Sequence, residues 1–62
     1  MSKVEIVFYN GHRLAAIAQP AGGWLVEIIP IAGGKPVLTE TFRELPDAMA
    51  SARAIVDNVE LS

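Results

Sequence analysis

Apolar and polar residues alternate with a period of two at the start of the chain. In segment 3–9, Val4, Ile6 and Phe8 fall on one side, and Lys3, Glu5, Val7 and Tyr9 on the other. That period predicts a β-strand. A second apolar segment, 12–19, follows Asn10-Gly11, a dipeptide that suits both central positions of a type I′ hairpin turn. Pro20 to Gly23 make the next connection. Segment 24–31, WLVEIIPI, is β-branched and aromatic with a single charge, and predicts a third strand. Residues 32–34 turn the chain again, and 35–42 form a fourth strand. Pro36 cannot donate to a ladder, which puts that strand at a sheet edge.

The period then changes. Apolar side chains recur at 45, 48, 49, 52, 55, 56 and 59, the spacing of one helical face. Pro46 suits the first helical position, with Leu45 before it as N-cap, and Asp47 complements the positive end of the helix dipole. The helix is expected to end between 58 and 60. Ala48 and Ala52 allow a close approach to a sheet, while Asp47, Ser51, Asp57 and Asn58 take the outer side. The predicted fold is α+β: a four-stranded antiparallel meander in the order β-β-β-β-α, with one C-terminal helix on one face. Residues 1–62 form one small domain.

The first hairpin sets which side chains share a face. A type I′ turn pairs Tyr9 with His12, Val7 with Leu14, and Ile6 with Ala15. The expected helix-side set is then Val4, Ile6, Phe8, Ala15 and Ile17, with Arg13 at its rim. Tyr9, His12, Val7 and Leu14 go to the other face. A three-residue turn with a bulge pairs Phe8 with His12 instead, and moves Leu14, Ala16 and Ala18 beside Val4, Ile6 and Phe8. Asn-Gly favours the first register.

Strand three carries Trp24, Val26 and Ile28 on one side. Leu25, Ile29 and Ile31 lie on the other, interrupted only by Glu27. A strand apolar on both sides is normally buried on both sides, and one helix covers only one. A second cover is therefore expected. The residues assigned to that interaction face are Val7, Leu14, Leu25, Ile29 and Ile31. The expected partner is a second copy of the chain, giving a homodimer, or another protein.

Composition strengthens this expectation. Of 62 residues, 52% are hydrophobic, and the mean hydropathy is +0.37. A domain of this size buries only about 60% of the surface of its unfolded chain. Without cysteine, neither a disulfide nor a thiolate-bound metal adds to its stability. No run of residues is long and apolar enough for a membrane span. The opening residues lack the pattern of a signal peptide, so a cytoplasmic location is expected.

Net charge is −2, and Lys3, Arg13, Lys35, Arg43 and Arg53 are scattered, unlike the basic stripe of a phosphate-neutralising protein. A nucleic-acid-binding module is the alternative reading. The first and third turns share one end of the meander, which would gather His12, Arg13 and Lys35 near Tyr9 as a stacking ring. Catalysis is not expected. His12 is the only histidine, and no nucleophile accompanies it in the pattern of a Ser-His-Asp or Cys-His site. One histidine cannot supply a metal-ligand cluster, and the glycine pairs lack the context of a phosphate-binding loop. Neither a cofactor nor a metal is expected.

Residues 22–56 resemble the small sheet-plus-helix domain of HicB-type antitoxins. Gly23-Trp24, Pro30, Thr39 and the Ala48/Ala52 helix carry the likeness. The stretch after Pro30, IAGGK, departs from it by lacking an acidic segment with a second proline. The resemblance implies a similar fold and a protein-binding role. It implies no operator binding, since the chain leaves no room after the helix for a separate DNA-binding module. The sequence also resembles short uncharacterised bacterial proteins of this layout, a likeness that implies no activity.

Overall fold

The computed structural model describes the backbone of residues 4–61 and the side chains of residues 4–58. Lys3, assigned above to the first strand, and the side chain of Val59, assigned to the helix stripe, lie outside them. The chain forms β1 (Val4–Tyr9), β2 (His12–Ala18), β3 (Trp24–Pro30), β4 (Val37–Leu38) and α1 (Leu45–Leu61). One sheet holds the strands in the order β1-β2-β3-β4, every pairing antiparallel. This is an α+β fold, a meander closed on one face by a C-terminal helix.

The β1–β2 hairpin has the type I′ register: Tyr9 opposes His12, Val7 opposes Leu14, and Ile6 opposes Ala15. Asn10 and Gly11 have φ of 47° and 73°, the positive values that both central positions of this turn require. The turn thus matches the right-handed twist of its strands.

The helix packs on the face opposite to the one expected. Leu14 and Ala16 of β2, with Val26 and Ile28 of β3, are buried against Ala48, Met49, Ala52 and Val56 of α1. Alternation then carries Tyr9, Val7 and His12 to the helix side. It leaves Val4, Ile6, Phe8, Arg13, Ala15 and Ile17 on the open side. The expected helix-side set is therefore the helix-free set. Ala48, Ala52 and Val56 recur at four-residue spacing, and the methyl-sized residues let the helix sit low over the two central strands. It contacts β2 and β3. Val7 on β1 and Val37 on β4 face the same side and remain 45% and 46% exposed.

The fourth strand is shorter than the expected 35–42. Only Val37 and Leu38 pair regularly, with Ile28 and Glu27; Phe42 makes a separate bridge to Trp24. The first pairings sum to residue number 65 and the bridge to 66, so one extra residue bulges between them. Thr39 holds the bulge together. Its Oγ1 accepts the Val26 N–H at 2.9 Å and donates to the Glu40 carbonyl at 2.8 Å. Its own N–H donates to the Val26 carbonyl. A buried N–H left unpaired would cost about 1–3 kcal/mol, which explains a hydroxyl at a position only 8% exposed. Gly23 fits beside this bridge because a Cβ there would lie 2.8 Å from the Phe42 carbonyl oxygen.

At the start of α1, Ala48 N–H donates to the Glu44 carbonyl. Glu44 therefore takes the cap position and Pro46 the second helical position, one residue later than expected. Proline remains compatible there, since that N–H has no partner within the helix.

Candidate interaction face

The helix-free face is built by the second periodicity of the same strands. β1 contributes Val4, Ile6 and Phe8, which are 50%, 53% and 68% exposed. β2 contributes Ala15 and Ile17, β3 contributes Leu25 and Ile29, and β4 contributes Leu38. Ala15 is shaded by Ile6 and Glu27, its larger neighbours across the two ladders. Beyond the end of β3, the Ile31 N–H donates to the Gly11 carbonyl at 3.0 Å. Ile31 lies there 62% exposed. With Phe8, Arg13, Ile29 and Pro30 it lines a shallow groove of about 340 Å³.

Of the residues assigned to the interaction face, Leu25, Ile29 and Ile31 lie on the open side. Val7 and Leu14 do not. Leu14 has no exposed surface and belongs to the helix-side core, because the helix chose the face that carries it. Val4, Ile6, Phe8 and Leu38 are the large exposed residues of this side that the sequence did not assign to it. One signal was available: Arg13 and Glu27 are the charges on the two central strands, and the β2–β3 pairing puts both on the open side. A charge at the centre of a sheet marks the side without a covering helix.

The proposed nucleic-acid cluster is divided by the same alternation. Tyr9 and His12 are neighbours on the helix side, whereas Arg13 projects from the open side. Lys35 is exposed in the loop before β4. The Tyr9 hydroxyl is occupied: it donates to the Asp57 carboxylate, 3.0 and 3.1 Å from its two oxygens. Asn10 Nδ2 reaches the same carboxylate at 3.4 Å. His12 Nδ1 lies 2.8 Å from the Asn10 carbonyl, a hydrogen bond in the tautomer with its proton on Nδ1. Asp57 was assigned to the outer side of the helix and instead turns to the hairpin. An acidic residue near the negative end of a helix is unfavourable, and these two donors offset that.

The bond to Asp57 raises the Tyr9 pKa above its ordinary 10.0, with desolvation and the carboxylate's charge acting in the same direction. The folded state thus holds the phenol neutral where the unfolded chain would already ionise. The resulting stability is complete below pH 10 and is lost as pH rises through the folded pKa. Thermal melts across this range are expected to fall more steeply for the wild type than for Tyr9→Phe. The phenolate absorbance of the folded protein, which has one tyrosine, should titrate above pH 10. Coincident melting curves for the two proteins would exclude the bond as a contributor.

Compared with protein-family models, characterised proteins and solved structures, the chain matches none. Among the described residues, no helix is long and apolar enough to cross a membrane.

Proposed function

We propose that this chain is a protein-interaction module that self-associates through the helix-free face of its sheet. One observation carries the reading: Val4, Ile6 and Phe8 stand about half or more exposed, beside Ile17, Leu25 and Ile29 on the same side. Contiguous apolar surface of this kind on a small domain marks an interaction site. The HicB-like pattern of residues 22–56 implies a protein-binding role as well.

The chain is large enough to offer an interface to a second copy. A specific interface takes about 800 Å² from each partner, roughly a fifth of the 4340 Å² exposed by this chain. Two sheets stacked face to face interdigitate their side chains across about 10 Å, and each copy supplies the missing layer of the other. Light scattering from about 1 µM to about 1 mM should show a monomer converting to a dimer. A strict monomer throughout would overturn the proposal.

A further inference from the structure

Two charged residues interrupt the helix-free face on its central strands, and they have opposite sign. Arg13 lies on β2 opposite Ile29, and Glu27 lies on β3 opposite Ala15. They are diagonal neighbours on the ladder, one pair of rungs apart. Around them the face is apolar: Ile6 and Phe8 on β1, Leu25 and Ile29 on β3. An apolar partner would desolvate Arg13 and Glu27, which lie within diagonal reach of each other, and would bring no charge of its own to either, at a cost that grows with desolvation.

From this arrangement we infer that the partner of the face is a second copy, held in one register by two reciprocal ion pairs, each Arg13 against the partner's Glu27. The inference rests on the self-association reading above and adds what selects the partner. In a two-fold face-to-face dimer, whatever residue i meets on the partner meets residue i in return. A two-fold axis in the plane between the sheets, crossing the midpoint of the Arg13–Glu27 line at a right angle, lays each guanidinium over the other copy's carboxylate. A single operation then gives both charges a partner across the interface, and a slipped register gives neither one. Arg13 is also a wall of the groove formed by Phe8, Ile29, Pro30 and Ile31, so the incoming carboxylate would meet a guanidinium backed by apolar side chains. There the low local dielectric strengthens the pair.

The test is a charge exchange. Arg13→Glu and Glu27→Arg, each alone, place like charges together twice per dimer, and should weaken homodimerisation at least about tenfold. Mixing the two variants gives one copy with two acids and another with two bases. Native mass spectrometry should then show the mixed dimer dominating over either homodimer. The double variant R13E/E27R should recover dimerisation close to the wild type, and circular dichroism of all three should match the parent fold. A monomeric wild type would remove the self-association reading itself. A dimeric wild type with single variants of unchanged affinity, or weakened variants that neither mixing nor the double exchange restores, would overturn the ion pairs while leaving that reading standing. Edge-to-edge pairing through β1 would give the first of these two patterns, because it leaves Arg13 and Glu27 in solvent.

Discussion

Ile6→Glu is expected to leave a folded monomer that no longer self-associates. Ile6 occupies the outer strand of the helix-free face, opposite Ala15, and is 53% exposed. In the isolated chain a glutamate there reaches water, and surface changes of this kind usually alter stability by no more than about 0.5 kcal/mol. In a face-to-face dimer the same carboxylate is carried twice into a desolvated apolar layer. Desolvated apolar anchors of an interface lose about 2 kcal/mol or more on disruption, about a 30-fold weakening. Sedimentation equilibrium checks the association, and thermal melts at several concentrations check the linkage. Association with the native state makes the wild-type melting temperature rise with concentration; for Ile6→Glu that dependence should vanish. A variant that dimerises like the parent would place the contact elsewhere, and one that unfolds would show that Ile6 supports the monomer. Phe8→Ser, at a position 68% exposed, supplies a second perturbation without a new charge.

The hairpin register was legible in the sequence because Asn-Gly carries a backbone requirement that few other dipeptides meet. The side of the sheet taken by the helix was not read correctly, because β2 and β3 are apolar on both sides. Leu14 and Ile17 are equally good core residues by hydropathy, and period-two alternation does not distinguish one apolar face from the other. What decides between them is the fit of Ala48, Ala52 and Val56 over Leu14, Ala16, Val26 and Ile28, a matter of volume and close approach between distant segments. Arg13 and Glu27 hold the same information in one dimension, each marking the open side of its own central strand. The shortening of β4 was legible only in part. Pro36 indicated an edge, but the bulge at Thr39 depends on a hydroxyl replacing a ladder bond to Val26, which no hydropathy pattern encodes. The helix-free side was read correctly on β3, where Glu27 interrupts it, and was inverted on β1 and β2, where it depended on the side taken by the helix.

Leu14→Ala tests the inverted face assignment from its buried side. Leu14 has no exposed surface and is among the largest fully buried side chains of the described residues, whereas Val7, directly opposite it on β1, is 45% exposed. Truncating a buried leucine costs about 2–5 kcal/mol, through lost transfer free energy and the cavity left behind. At about 0.05–0.15 kcal/mol per residue, the total stability of a domain this small is only about 3–9 kcal/mol. The substitution should therefore remove about a fifth or more of it and lower the melting temperature by at least about 8 °C. Val7→Ala, on the same side of the sheet but outside the reach of the helix, should cost less than about 1 kcal/mol. Both are best measured in the Ile6→Glu background, where dimer dissociation no longer contributes to the melting temperature. If Leu14 lay on the docking face, Leu14→Ala would instead weaken association and leave the melting of the monomer nearly unchanged. A large loss of monomer stability at Leu14, beside a small one at Val7, is the result required by a helix seated over β2 and β3.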